Sequence, residues 1–277
     1  MNITEYETET LTDPISAICE QQFWNATLSW DGTTPDMGLC MERTVLLWSP
    51  CILLWILTPL QVLYLRHRGL DYLNWTLITY MKIVLSLLVS IAAVTELIWA
   101  IVLRSQEIHV PVSEFIAPSI LLLTYILQSY LIILGKQHGE RSSGIIVCFW
   151  TAMLLCGIPQ FITTVISGLN QDDRLHWLLM VTFLIQYIGA IAFFIVNCFA
   201  DNPPDSRFFS KSEKEFPEPY ASFISQLTFH WANGLVWLGY KRPLIPDDLW
   251  DMPSKISTVH LDKRWDMAWR KQHASIP

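Results

Sequence analysis

The sequence predicts an all-α, polytopic membrane protein: five transmembrane helices, then a cytoplasmic linker carrying amphipathic helices. Three observations carry that expectation. Apolar residues make up 52% of the chain and charged residues 16%, where a soluble domain carries about 25% charged residues. Five windows are long enough to cross about 30 Å of hydrocarbon as helices, which takes roughly 20 residues each. They are Thr44–Leu65, Ile83–Leu103, Phe115–Leu134, Ile145–Ile166 and Trp177–Phe199. The 13 Trp suit water–lipid interfaces.

Residues 1–43 form a polar, acidic tail with eight Asp or Glu and Arg43 as its one base. No apolar signal region precedes the first span, so no cleaved leader is expected and that span carries the tail across. Two glycosylation sequons lie in the tail, at Asn2 and Asn25, and a third begins at Asn74. Use of the sequon requires the lumenal side, so a glycan is expected on Asn25 and not on Asn74. Cys19 and Cys40 also lie in this tail, where an oxidising compartment favours a disulfide over two free thiols. Closing that loop would contribute about 3 kcal/mol in the chain-entropy model. Cys51, Cys148, Cys156 and Cys198 fall in or near spans and suit packing.

Residues 44–200 form the membrane domain. Pro50, Pro59, Pro118 and Pro159 fall inside spans and each removes a helix hydrogen bond. Glu96 is the one carboxylate deep in a span. A charge at that depth is costly and points to function, although Arg104, eight residues on, would let the span slide Glu96 toward the interface. Gln128, Gln160, Gln186 and Asn197 suit interhelical hydrogen bonds. Orientation follows from the loops. Arg66, His67, Arg68 and Lys82 flank the first loop, and Lys136, His138 and Arg141 lie in the third. The positive-inside rule makes those two loops cytoplasmic. The N-terminus is then outside and the C-terminus inside.

Residues 201–277 are the cytoplasmic part. Residues 201–219 hold four Pro and mark a linker. Pro219 is placed to open a helix. Behind it Tyr220, Phe223, Ile224, Leu227, Trp231, Leu235 and Leu238 recur at three- and four-residue steps, which predicts one apolar stripe on one helix. Gly239 and Pro243 are expected to stop it. A second helix is predicted over Thr258–Gln272, with Leu261, Trp265 and Trp269 in register. Its basic flank, Lys263, Arg264, Arg270 and Lys271, suits either anionic lipid or water.

Soluble chemistry is missing from the pattern. There is no phosphate-cradling glycine loop, no nucleophile elbow, no zinc-ligand spacing and nothing that points to nucleic acid. No catalytic or metal-binding residue is predicted, and no cofactor is expected in this chain.

The run S-F-I-S-Q-L-T-F-H-W…G-L-V-W-L-G-Y-K-R-P-L…D-D-L-W, within Ala221–Trp250, resembles the linker and lasso of ATP-binding-cassette transporters of subfamily C. Cys19, Trp24-Asn25-Ala26-Thr27, Pro35-Asp36 and Cys40 are similar to that family's extracellular tail. Val45–Trp55 resembles its first span and Ser142-Ser143-Gly144-Ile145 the start of its fourth. Gln226 stands where that family often has Arg, Leu238 where it has a basic residue, and His230 where it has an aromatic one. The resemblance implies a five-span N-terminal domain ahead of a transport core that exports organic anions and glutathione conjugates, with ATP and Mg used by the parent and not by this chain. It implies that the chain ends before that core, and that Tyr220–Leu238 docks onto it, in cis or in trans. The plasma membrane is the expected location, with a vacuolar or lysosomal membrane as the alternative. A freestanding regulatory subunit that docks on a partner channel is the other functional reading.

Overall fold

The computed structural model describes residues 18–19, 23, 38–68, 74–107, 109–170, 174–201, 216–251 and 258–273. Asn2, Asn25 and the side chain of Lys271 lie outside the described residues. Contacts divide the chain into two units, Met1–Asp201 and Asn202–Pro277.

The first unit is a bundle of five long helices: α1 (Leu47–Arg68), α2 (Leu77–Ser105), α3 (Ser113–Gln137), α4 (Gly144–Asn170) and α5 (Arg174–Asn197). All five are long and apolar enough to cross a membrane. Their outward faces are apolar: Ile56, Leu60, Leu63, Leu87, Leu88, Ile91, Ile126, Leu155 and Ile188 are all more than half exposed. Patches of that extent are rare on water-soluble monomers and mark a lipid-facing surface. This is a multi-pass membrane protein. The helix bounds exceed the predicted windows at several ends, because the polar caps that close a helix add little to an apolar window. Thr76, for example, caps α2 by accepting from the Thr79 N–H.

Neighbouring pairs are α1 with α3, α3 with α2, α2 with α5, α5 with α4, and α4 with α1. The five helices therefore close into a ring. Its centre is aromatic. Trp150 of α4 stacks on Phe193 of α5 at 4.7 Å and on Tyr125 of α3 at 6.0 Å, and meets Phe149 edge-on. All four are buried. Offset and edge-on aromatic contacts each add about 0.5–1.5 kcal/mol beyond area burial. Close approach is set by small residues. A Cβ on Gly189 of α5 would meet Val89 of α2 at 2.9 Å, and one on Gly157 of α4 would meet Tyr187 of α5 at 2.9 Å. Small interfaces of this kind are how membrane helices gain contact when lipid removes the hydrophobic drive.

Among the described residues, Asn197 and Gln128 show no interhelical hydrogen bond, although the sequence nominated both for one. Asn197 donates within its own helix, to the Phe193 carbonyl at 2.8 Å. Gln128 is fully buried with neither end of its amide hydrogen-bonded, and the Gln186 Nε2 is likewise unbonded. Hydroxyls and one indole cross between helices instead. Trp55 donates to Thr124 at 3.0 Å, and Ser86 and Ser129 share a bond of 2.7 Å.

The second unit contains α6 (Phe223–Leu227), α7 (Asn233–Lys241) and α8 (Thr258–His273), with short turns at Glu218–Tyr220, His230–Ala232 and Pro246–Asp248. The single stripe expected over Tyr220–Leu238 is thus broken. Phe229 adopts the left-handed region at φ 55°, and the Thr228 hydroxyl turns back to the Ile224 carbonyl. Pro219 sits inside the preceding turn, and Ser222 caps α6. Gly239 does not stop α7, which runs to Lys241. Arg242 is extended there, as a residue before proline prefers.

Candidate functional site

The two ends of the bundle each gather buried charge. At the first, Cys19 and Cys40 are joined by a disulfide with a Cα separation of 5.5 Å. Directly after Cys40 the chain widens into a π-helical turn, Glu42–Leu46. Pro50 accounts for it: proline has no N–H for the Leu46 carbonyl and its ring crowds that position, and a widened turn relieves both. The turn aims Glu42 and Arg43 into the bundle. Arg43 Nε lies 3.3 Å from Glu114 of α3, and its Nη1 lies 4.0 Å from Glu96 of α2. Glu42 accepts from the Thr163 hydroxyl of α4 at 3.1 and 3.2 Å.

Glu96 therefore pairs across helices with Arg43. These groups border a cavity of about 50 Å³ that Gln160, Gln186, Tyr125 and Cys156 also line. That is room for about three or four waters. Two of the nominated polar residues, Gln160 and Gln186, thus meet Glu96 at one site.

At the opposite end lies a second network. Asp201, just past α5, accepts from the Thr76 and Thr79 hydroxyls at the start of α2 and pairs with Lys136 at the end of α3. Its backbone N–H donates to the Arg141 carbonyl at 3.0 Å. Burial pushes the Asp201 pKa up, but the bonds from Lys136, Thr76 and Thr79 outweigh burial and leave it below the ordinary aspartate value. Beside it, Gln61 of α1 donates to both oxygens of Glu140 at 2.9 and 2.8 Å. Gly135 permits this closure, since a Cβ there would lie 2.8 Å from the Glu140 carboxylate. Gly139, at φ 70°, reverses the chain in the usual glycine manner. Sequence reasoning missed Asp201 and Lys136 as partners, placing the first in a linker and the second in a loop.

In the second unit the nominated stripe is mostly half-covered. Tyr220, Phe223, Ile224, Trp231, Leu235 and Leu238 are intermediate in exposure, and Leu227 is exposed. Trp231 lies in an aromatic cluster with Phe216 at 5.1 Å and Trp250 at 5.7 Å. The open apolar residues here include Leu227 of that stripe together with Phe229, Val236, Trp237 and Tyr240, with Tyr240 82% exposed. Trp237 and Tyr240 stack at 5.6 Å and Lys241 covers the Trp237 ring. On α8, Leu261, Trp265 and Trp269 are exposed together, and the two indoles stack at 6.0 Å.

Past α7 an ion pair folds the chain back. Arg242 donates to both Asp248 oxygens at 2.7 and 2.6 Å, and the Ile245 N–H donates to the same carboxylate at 3.0 Å. The Arg242 bonds first, and then the Ile245 amide, hold the Asp248 pKa below its usual value. A depressed carboxylate contributes stability above its unfolded value and loses it as pH falls through the folded one. The Ile245 amide is therefore expected to be protected from hydrogen exchange at neutral pH. That protection should fade as pH falls below the ordinary carboxylate range. Arg242→Ala should lose much of it already at neutral pH, and exchange identical to wild type would contradict the clip.

Among the described residues no group of three or more His, Cys, Asp or Glu is placed to hold a metal ion. No family model matches the chain. Individual relatives do. The chain is 31% identical over 252 residues to rat "ATP-binding cassette sub-family C member 3", covering 91% of this chain and 16% of the relative. The human protein of that description is 29% identical over 255 residues, with the same coverage. Human "ATP-binding cassette sub-family C member 2" is 28% identical over 258 residues, covering 93% of this chain. The chain is related to the N-terminal region of sub-family C ATP-binding-cassette transporters. It spans about a sixth of the length of these relatives. At 252 residues the match is longer than the unit Met1–Asp201, so it takes in parts of both units. The Arg242–Asp248 pair falls within the K-R-P-L…D-D-L-W run that carries the sub-family C resemblance, and it supplies a physical reason for both ends of that run.

Proposed function

We propose that this chain is an accessory region of an ATP-dependent exporter of organic anions and glutathione conjugates: it anchors in the bilayer and docks on the transport core. The observation that carries this reading is the exposure of the apolar side chains Phe229, Val236, Trp237 and Tyr240, the last two stacked on each other, on a segment whose sequence resembles the sub-family C lasso. Aromatic anchors of this kind dominate the energetics of protein interfaces. The tail, with its disulfide, is assigned to the extracellular side with a glycan on Asn25, and residues 216–273 to the cytoplasm. The plasma membrane is the assigned location.

The sequence offers no phosphate-cradling loop, so we assign no ATP or Mg to these residues. Their part is positioning and delivery. The test is a full-length sub-family C transporter carrying this region, with Ala221–Trp250 removed. Surface delivery or ATP-dependent uptake of a glutathione conjugate into inverted vesicles should fall at least about tenfold, the scale of losing one interface anchor of roughly 1.4 kcal/mol or more. Wild-type delivery and uptake would refute the docking role.

A further inference from the structure

Helix α7 is apolar on both of its sides. Between Asn233 and Lys241 it carries only Gly234, Leu235, Val236, Trp237, Leu238, Gly239 and Tyr240, and a helix apolar all round is a buried one. Residues three and four apart share a helix side. Leu235, Leu238 and Gly239 therefore lie on one side, and Val236, Trp237 and Tyr240 on the other. The exposures follow that division. Leu235 and Leu238 are half-covered, whereas Val236, Trp237 and Tyr240 are 66%, 61% and 82% exposed.

The returning chain packs at both ends of the first side. After Lys241 the Arg242–Asp248 pair turns the backbone round, and the Ile245 N–H donates to the same carboxylate. The return brings Leu244 onto Gly239, where a Cβ would meet it at 3.3 Å. It then brings Trp250 within 5.7 Å of Trp231, in the turn just ahead of α7, and within 6.2 Å of Phe216. The ion pair thus lies in the chain between two contacts, one at each end of the helix.

We infer that Arg242 and Asp248 are positioning residues for docking, a role that rests on the docking function proposed above. Their ion pair holds residues 242–250 against the Leu235–Gly239 side of α7 and leaves the Trp237–Tyr240 side as the one that meets the transport core. They act through α7 and not on the partner. Gly239 is the second part of the device, because it gives Leu244 the room to close.

Two readouts test this. Hydrogen exchange of the 277-residue chain in nanodiscs reads the cover on α7. ATP-dependent uptake of a glutathione conjugate, by a full-length sub-family C transporter carrying this region, reads docking. In Arg242→Ala the amides of residues 235–241 should exchange about two- to fivefold faster, the range set by an exposed ion pair, and uptake should fall with them. Gly239→Val should act in the same direction with the pair intact, and Arg242→Lys should lie between Arg242→Ala and wild type. Trp237→Ala with Tyr240→Ala should lower uptake and leave the Ile245 amide protected. Faster exchange confined to Ile245 would overturn the positioning role, since the pair would then be a local turn only. Faster exchange over 235–241 with full uptake in Arg242→Ala, beside lost uptake in the Trp237 and Tyr240 variant, would also overturn it and leave docking intact. Full uptake in the Trp237 and Tyr240 variant would refute docking and the positioning role together. If Gly239→Val does not fold, Arg242→Ala decides alone, because the Arg242 side chain is 45% exposed.

Discussion

Arg43→Met is expected to destabilise the bundle by about 3–5 kcal/mol, the usual cost of removing one partner from a buried ion pair. Arg43 is the cation among three carboxylates: it meets Glu114 and Glu96 directly, and Glu42 precedes it in the same widened turn. Its side chain is 17% exposed and that of Glu96 is 10% exposed, so water screens the loss only in part. The three groups come from α2, α3 and the turn ahead of α1, so the pair also ties three parts of the ring together. The readout is the unfolding temperature of the purified chain in detergent. Adding Glu96→Gln to Arg43→Met should recover part of the loss, because it removes a carboxylate left without its partner. A wild-type unfolding temperature in Arg43→Met would show that the cluster contributes nothing.

Asp201→Ala is the second large effect, again about 3 kcal/mol or more. The substitution strands Lys136 beside Lys82 and leaves the Thr76 and Thr79 hydroxyls without their acceptor. It also removes the side-chain tie between the end of α5 and the start of α2. Asp201→Asn should cost less, since an amide oxygen still accepts from the threonines. The sign with pH follows from the depressed pKa of Asp201, for which the bonds from Lys136 and the threonines outweigh burial. Its contribution is full above the unfolded aspartate value and is lost as pH falls through the lower folded one. Across that acid window wild-type stability should drop toward that of Asp201→Asn. Parallel curves for the two proteins over the window would contradict the role given to Asp201.

The spans were legible because twenty apolar residues in a row have few other uses, and the helix at Thr258–His273 was legible from its three-and-four periodicity. The partners of the buried charges were not. Glu96 has Arg104 close by in sequence, yet its cation is Arg43, brought there by the ring order of the helices. Asp201 looks like the first residue of a linker, because nothing local tells that Thr76, Thr79 and Lys136 converge on it. The single continuous stripe was misjudged for a backbone reason. The stripe from Tyr220 to Leu238 assumes one continuous helix, and Phe229 in the left-handed region rotates everything after it. Phenylalanine gives no warning of such a turn, unlike glycine or asparagine. Gly239 looked like a helix stop and is instead a contact: a Cβ there would sit 3.3 Å from Leu244, where the chain folds back under the Arg242–Asp248 clip.

The docking role requires residues 216–273 on the cytoplasmic side and the tail across the membrane. Sequon mapping tests that directly. The chain is expressed in cells, and its gel mobility is compared before and after glycosidase for wild type, Asn25→Gln and Asn74→Gln. Asn74 is exposed, so its modification depends on which side of the membrane it occupies. The account predicts that the glycan shift is reduced or lost in Asn25→Gln and unchanged in Asn74→Gln. A shift that persists in Asn25→Gln and disappears in Asn74→Gln would invert the topology and remove the docking segment from the cytoplasm.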